Sequence, residues 1–510
     1  LSTKGSVSDF TMKSFVRINP KDNVLVALRD LNCGETLDGI RLLEEIPAGH
    51  KVASQEILAG ASVTKFGYPI GVASCTIRPG EHVHTRNVES ALRGNLQNVE
   101  FRNQPPLLFT PSKKSTVFQG FQRPGGQVGI RNEIWIINTV ACVNHAAECI
   151  AQQASRQWVK PGGPIEGIYA FPHPYGCSQL GDDLKNTGKT LAGLVNHPNA
   201  AAVLVLGLGC ENNQLELLLK EAGPVDPQRI RFFNAQEVDD EIDEGLRCIG
   251  GLAEYASQFR RESLPAGKLV LAMKCGGSDG FSGITANPVV GLVADWMCVG
   301  GATTLLSEVP EVFGAEEILL DRAIDRNVFN SFMQMVNEFR DYFRAHNQPI
   351  DENPSPGNKH GGITTLAEKS LGCVQKGGRA QISQVLPYGQ PAKPETGGLA
   401  FVNAPGNDGV SGTALTIAGA HMLLFTTGRG TPMGFPVPTL KIATNTQLAK
   451  RKSSWIDFDA GRLLDSGVTL EELAEQLLGL VLEVASGKVK TQNEKNGYRD
   501  IAIWKTGVTV

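Results

Sequence analysis

The strongest constraint on the fold of this chain is a series of short, unbroken apolar runs separated by amphipathic stretches of helical period. EIWIINTV (133–140), GIYAF (167–171), AAVLVLGL (201–208) and RIRFF (229–233) come first; KLVLAMK (268–274), ATTLLS (302–307), LAFVN (399–403), MLLFTT (422–427) and TLKIAT (439–444) follow. A strand covered on both faces shows no polar alternation, so these runs predict parallel sheets layered between helices. Helices are expected at 143–156, 179–195, 213–222, 315–346 and 470–486, whereas NPSPGNKHGGI (353–363) is too broken for either element and reads as a functional loop.

The first hundred residues follow another rule. LNCGETL (31–37), IPAGHKV (46–52), ILAGASV (57–63) and IRPGEHV (77–83) each place a glycine between aliphatic residues, as short hairpins with left-handed turn positions require. A small all-β domain is therefore expected over 12–102, a proline-bearing linker over 103–116, and two α/β domains over 117–265 and 266–510. Residues 1–11 read as an extension ahead of the patterned sequence. With a net charge of −4 and no long basic run, nucleic acid and anionic membrane are not expected partners. No apolar run approaches the roughly 18 residues that span a bilayer, so a cytoplasmic enzyme is expected. Its ten cysteines then read as thiols or metal ligands rather than a disulfide framework.

Four of those cysteines share a context. Cys142, Cys210 and Cys275 each follow an apolar run, and Cys177, in FPHPYGCSQLGDD, follows a short one and opens a helix. Ligands of open α/β sheets bind beyond the carboxyl ends of strands, and soft thiolates select iron or zinc over magnesium or calcium. Any single cysteine more often fills a core; four in one setting point to a metal. The other cysteines, including Cys373, lack this setting and are expected in the interior.

GEHVH puts His82 and His84 two apart, on one face if extended, and GHK adds His50 and Lys51 on a similar turn. Imidazoles so placed serve either as acid and base or as metal ligands. FTTGRGTP (425–432) offers Thr427, Arg429 and backbone amides to an anion, and PGNK offers Asn358 and Lys359. Neither GxGxxG after a strand nor a Walker A motif occurs, so nucleotide binding lacks its usual mark.

Taken together, KFGYPIG (65–71), GEHVHTRN (80–87), FQGFQRPGGQVGIRNE (118–133), GCSQLGDD (176–183), LGLGCENNQ (206–214), KCGGSDGFSGITANP (274–288), NPSPGNKHGGITT (353–365) and FTTGRGTP (425–432) resemble the altronate and galactarate dehydratases over essentially the whole chain. NPSPGNK and GCSQLGDD look closer to the altronate branch. The resemblance implies a SAF-type β domain before Rossmann-like α/β layers, dependence on iron(II) or manganese, and dehydration of a sugar acid to a 2-keto-3-deoxy acid. The substrate it implies is D-altronate, with galactarate or another aldonate or aldarate as the alternative; a sugar-acid-binding regulator is the non-enzymatic one. A homodimer is expected.

The resulting site has iron, as a lone ion or an iron–sulfur cluster, on some of Cys142, Cys177, Cys210 and Cys275, with His82 and His84 as the competing ligands. His50, His82 and His84 are the acid–base candidates, and Lys65 or Lys51 holds the substrate carboxylate. Asp279, Lys359, Arg429 and Thr427 are placed on the polyol.

Overall fold

The computed structural model describes residues 14–92, 94–96, 99–102, 117–465 and 467–506. The expected N-terminal extension and the expected linker at 103–116 lie outside them. The N-terminal domain is all β. Strands β1 (Phe15–Val16), β2 (Val24–Ala27), β5 (Lys51–Ala53) and β8 (His82–Val83) form one antiparallel sheet. β3 (Thr36–Leu37) pairs with β4 (Ile40–Arg41), and β6 (Ser62–Lys65), β7 (Tyr68–Ala73) and β9 (Val88–Glu89) form a third sheet. The four repeat glycines, Gly34, Gly49, Gly60 and Gly80, all sit at positive φ, as the repeat predicts.

β10 (Val117–Gln122), β11 (Val128–Gly129) and a later strand, β16 (Arg261–Pro265), make a three-stranded sheet that begins and ends the first α/β domain. Within it β12 (Glu133–Asn138), β13 (Gly167–Ala170), β14 (Ala200–Gly207) and β15 (Ile230–Asn234) run parallel in the order β13-β12-β14-β15. Helices α1 (Asn144–Trp158), α2 (Gly181–Val195), α3 (Leu215–Ala222) and α4 (Glu241–Ala256) cover it. Every residue of β14 is buried, which is why its sequence shows no polar alternation. Asp240 caps α4 by accepting from the backbone N–H groups of Ile242 and Asp243.

The C-terminal domain is built on a seven-stranded parallel sheet of β17 (Val270–Cys275), β18 (Thr303–Leu306), β19 (Ile382–Leu386), β20 (Gly398–Val402), β21 (Met422–Thr427), β22 (Thr439–Ala443) and β23 (Phe458–Asp459). Their order is β19-β20-β18-β17-β21-β22-β23, with β17 central. Helices α5 (Ala286–Val299), α6 (Glu316–Leu320), α7 (Arg326–Ala345), α8 (Pro356–His360), α9 (Leu366–Cys373), α10 (Asp408–Ile417), α11 (Thr446–Arg451), α12 (Leu470–Ala485) and α13 (Gln492–Asn496) pack around it. Two expectations are corrected. The helix expected over 315–346 breaks into α6 and α7, because Ala323 bridges to Ile382 beside the sheet and Asp325 caps a new start. The stretch 353–363 is not wholly irregular, since Ser355 and Asn358 form a capping box that starts the short helix α8.

One hydrophobic core runs from the N-terminal domain (Val24, Val63, Ile70, Val83) into the C-terminal domain (Leu271, Val289, Phe313, Leu424). The two α/β domains share a second core, in which Trp135 and Val205 join Ala272 and Leu415. Their seam also holds His197 and His421. The His197 Nε2 faces the Ala420 carbonyl at 3.1 Å, and His421 accepts the Val270 N–H and contacts the Val128 carbonyl, each at 2.8 Å.

Burial drives the His197 pKa down to about 3 and that of His421 to about 4. Unfolded histidine titrates near 6.5, so the unfolded chain binds more protons over this range and stability falls as pH drops below about 6.5. At pH 5 each histidine is expected to cost about 2 kcal/mol. Urea melts at pH 7.5 and 5.0 check this, and His421→Gln should flatten the pH slope.

A candidate active site between the N-terminal domain and the C-terminal strand ends

The turn at Gly49 and His50 reaches into a cradle of C-terminal glycines. A β-carbon on Gly280 would lie 2.0 Å from the Gly49 carbonyl oxygen, and one on Gly362 would lie 2.5 Å from it. Gly280 donates its N–H to the Gly361 carbonyl at 2.7 Å, joining the CGGSDG and NKHGG stretches beneath that turn. Only residues without side chains allow so close an approach.

The contact gathers three imidazoles. His50 Nδ1 is 2.9 Å from His82 Nε2, and the ring centroids of His50, His82 and His84 lie 5.0 to 5.2 Å apart. One nitrogen from each lies within 4.8 Å of the others. His50 Nε2 meets the His360 carbonyl at 3.1 Å, and His360 Nδ1 meets Arg429 at 3.1 Å. Burial lowers all three histidine pKa values, with neighbouring charges adding to the effect at His82, which falls to about 3, and at His84, to about 4. The rings are therefore neutral at pH 7 and are not proton donors there. His84 Nδ1 is buried without a hydrogen-bond partner.

Behind them lies a buried ion triplet. Glu368, near the start of α9, is 2.9 Å from Lys51 and 2.8 Å from Lys65, and all three side chains are at most 2% exposed. Thr364 donates twice more to the same carboxylate, and Lys51 donates to the Gly362 carbonyl at 2.7 Å. Burial alone would raise the Glu368 pKa, but the two ammonium groups hold it far below the usual carboxylate range. Burial pulls Lys51 down to about 8 against the pull of Glu368. Lys51 and Lys65, expected to hold the substrate carboxylate, both pair with Glu368 and are shut away from solvent.

A second cluster sits at the end of β17. Cys275 and Cys373 are 3.5 Å apart, each 3.4 Å from Glu311, and Lys376 donates to Cys275 at 2.8 Å. Lys369 pairs with Glu311 at 2.7 Å, and Lys274 with Glu308 and Asp408, each at 2.6 Å. The hydrogen bond from Cys373, helped by Lys376 and opposed by burial, brings Cys275 down to about 6. Burial opposes ionisation of Glu311 as well, yet the surrounding lysines hold it at about 2.

Both the imidazole triad and the Cys275–Glu311–Cys373 group could hold a metal on spacing alone. Charge separates them. Three lysines already neutralise the thiolate and carboxylates, so a dication arriving there meets ammonium groups rather than free anions. The imidazoles are neutral and one nitrogen is unsatisfied. Imidazole donors suit iron and zinc, so the triad fits iron, one of the two metals that the family resemblance implies.

Beside the second cluster is a cavity of about 560 Å³ lined by Glu311, Asn353, Asn358, Lys359, Lys369 and Asp408, among others. Lys359 is half-buried and, among the described residues, has no acidic partner. A larger cavity of about 1220 Å³ includes Arg123, Arg229 and Val270 in its lining, near the amino ends of the strands and away from this chemistry.

The remaining expected site residues fall as follows. Asp279, expected on the polyol, is buried, and its carboxylate accepts from Ser282, Thr444, Asn445 and the Phe281 N–H, pinning the loops together. Thr427 is fully buried and accepts the Gly430 N–H, so it shapes its turn instead of meeting a ligand. Arg429 is exposed at the edge of the imidazole site.

The four thiols do not share one setting. Cys275 is buried on the seven-stranded sheet, while Cys142, Cys177 and Cys210 are exposed at the four-stranded one. Cys177 lies in a turn ahead of α2 rather than opening it, and Cys210 lies in the turn that precedes α3. Glu311, Glu368, Lys369, Lys376 and His360 were missed by sequence reasoning, and Cys373, expected in the core, is buried but touches Cys275.

Family models match nearly the entire chain: the altronate/galactarate dehydratase SAF domain over residues 13–91, the second domain of D-galactarate dehydratase/altronate hydrolase over 120–257, and the D-galactarate/altronate dehydratase C-terminal domain over 266–509. An altronate dehydratase of Bacillus subtilis (strain 168) is 45% identical over 505 residues, covering 98% of this chain and 100% of the relative. One of Escherichia coli (strain K12) is 46% identical over 505 residues, covering 97% and 100%. The galactarate dehydratase (L-threo-forming) of the same E. coli strain is 33% identical over 501 residues, 95% of each chain.

Proposed function

The chain belongs to the altronate/galactarate dehydratase family, and from that premise we propose that it is a hydro-lyase converting D-altronate to 2-dehydro-3-deoxy-D-gluconate and water. The full-length identity to two altronate dehydratases supports this choice of acid over galactarate. The carrying observation within the site is the neutral imidazole triad with its unpaired His84 nitrogen, set at the mouth of the C-terminal strand ends.

Dehydration removes the proton at C2 and the hydroxyl at C3. Both steps are slow at neutral pH, because a proton beside a carboxylate is weakly acidic and hydroxide leaves poorly. In this reading His50, His82 and His84 would hold iron(II), which when bound would supply Lewis acidity to the dehydration. That assignment takes the three histidines out of proton donation, consistent with their lowered pKa values.

The chain's own groups bind and orient the substrate. Lys359 and Arg429, neither with an acidic partner among the described residues, hold the substrate carboxylate and hydroxyls. Lys369, held against Glu311, keeps a fixed positive charge at the cavity wall. The Lys51–Glu368–Lys65 triplet fixes the histidine-bearing turns and keeps water from behind them. Residues 353–363 connect the parts: Asn358 and Lys359 line the cavity, while the carbonyls of His360 and Gly362 receive His50 and Lys51.

The test is an anaerobic assay of the iron-loaded chain for 2-keto acid formation, with altronate and galactarate as rival substrates. Product from altronate, favoured at least about tenfold in kcat/KM, is expected; no 2-keto product from either would defeat the reading. Lys359→Ala should raise KM about tenfold, or about 1.4 kcal/mol of binding, with kcat changed less. An unchanged KM would remove Lys359 from the substrate site.

A further inference from the structure

We propose that Cys142, Cys177 and Cys210 carry an iron–sulfur cluster, a [4Fe–4S] cubane held by three protein thiolates with one iron left open to a further ligand. The site is separate from the imidazole triad, and the inference does not depend on the substrate assigned above.

The topology brings the three thiols together. They follow β12, β13 and β14, neighbours in one parallel sheet, so their turns emerge side by side at its carboxyl edge. Backbone contacts lock those turns to one another. The Ala141 N–H donates to the Tyr175 carbonyl at 2.9 Å, and the Asn213 N–H to the Gly176 carbonyl at 3.0 Å. The Ser178 N–H donates to the Asn212 side chain at 2.6 Å, and the Asn213 side chain to the Thr139 carbonyl at 2.9 Å. Each cysteine thus stands one to three residues from an atom bonded to a neighbouring cysteine's turn. Gly176, at φ +104°, lies so close to the first turn that a β-carbon there would be 2.2 Å from the Thr139 oxygen.

The setting suits a ligand. Val140, Val143, Gly176, Gln179, Glu211 and Asn213 are buried around the three turns, yet the cysteines themselves project to solvent. Free cysteine is ordinarily among the most buried residue types. One N–H donor meets a thiol, and a second, unpaired, belongs to a residue two positions from Cys177. Gln236 Nε2 is 3.5 Å from the Cys210 sulfur, and the Gln179 amide nitrogen, in a side chain 2% exposed, has no partner. Donors of this kind stabilise cluster sulfur and tune its potential.

Spacing separates a cluster from a single ion. Thiolates on one tetrahedral ion, with bonds of about 2.3 Å, lie about 3.8 Å apart. The only described sets of three or more ligand atoms all within 4.8 Å are the imidazole triad and the Cys275 group. The Cys142–Cys177–Cys210 set is not among them, so the three sulfurs do not form one ion's shell. Thiolates gathered at the ends of adjacent strands are the ligands that iron–sulfur clusters take.

The experiment offers the full chain, kept anaerobic, a preformed [4Fe–4S] cluster ligated by a small-molecule thiol. Ligand exchange moves three cysteine sulfurs onto iron, and each cysteine proton leaves on a released small thiol, with no change of oxidation state. The expected result is about four iron and four sulfide retained per chain after desalting, broad visible absorption, and an electron paramagnetic resonance signal after reduction. Cys142→Ser, Cys177→Ser and Cys210→Ser, each with its far-ultraviolet dichroism and melting curve unchanged, should lose that signal. Cys275→Ser and His84→Ala should keep it. Wild-type protein that retains no sulfide, a triple serine variant that retains as much as wild type, or uptake of one zinc ion per chain in preference to the cluster would each overturn the proposal.

Discussion

Replacing His84 with alanine is expected to empty the proposed metal site and lower turnover by about two to four orders of magnitude. Lewis-acid stabilisation of a developing dianion is worth several kcal/mol, and about 1.4 kcal/mol corresponds to a factor of ten in rate. His84 is the ring whose Nδ1 is buried and unpaired, so its removal takes away a donor that nothing in the protein occupies. His82→Ala should behave alike, because its Nε2 lies 2.9 Å from His50 in the same group. Elemental analysis beside steady-state kinetics decides the matter. A variant with full metal and low turnover would return His84 to acid–base work, and normal turnover would remove the triad from catalysis.

The second large effect is on stability. Glu368→Gln is expected to cost about 3–5 kcal/mol, since it leaves two buried ammonium groups facing each other without their carboxylate. Denaturant midpoints at pH 7.5 measure it. Replacing all three members, Lys51→Met, Lys65→Met and Glu368→Leu, should recover most of the loss, because an apolar set of similar volume avoids desolvating charge. If Glu368→Gln melted like the wild type, the triplet would not be a significant part of the seam.

The sheets were legible because parallel strands buried on both faces leave a plain sequence trace, and nine apolar runs correspond to strands β12 to β15, β17, β18 and β20 to β22. The histidines were legible because GEHVH and GHK lie on hairpin tips, where spacing along an extended chain reports the face directly. The charged interior was not. All eight residues of α9 are buried although it carries Glu368 and Lys369, and helical periodicity assigns such residues to solvent. Their neutralising partners, Lys51, Lys65 and Glu311, lie far away in sequence, so no local pattern announces them. Cys275 shows the same limit in reverse: it has the strand-end signature of Cys142 and Cys210, but that signature does not say to which sheet a strand belongs. Only the packing of β17 beside α9 reveals Cys373 as its neighbour.

The ion triplet also bears on how such chains can be reassembled by recombination. An N-terminal module lacking the ammonium groups at 51 and 65 would strand a carboxylate in a dry seam, and a C-terminal module lacking the acid at 368 would strand two cations. Mosaics that exchange whole modules between relatives should therefore be viable only when these three charges travel as a matched set. The seam acts as a password between modules, screening out foreign partners whose surfaces otherwise fit.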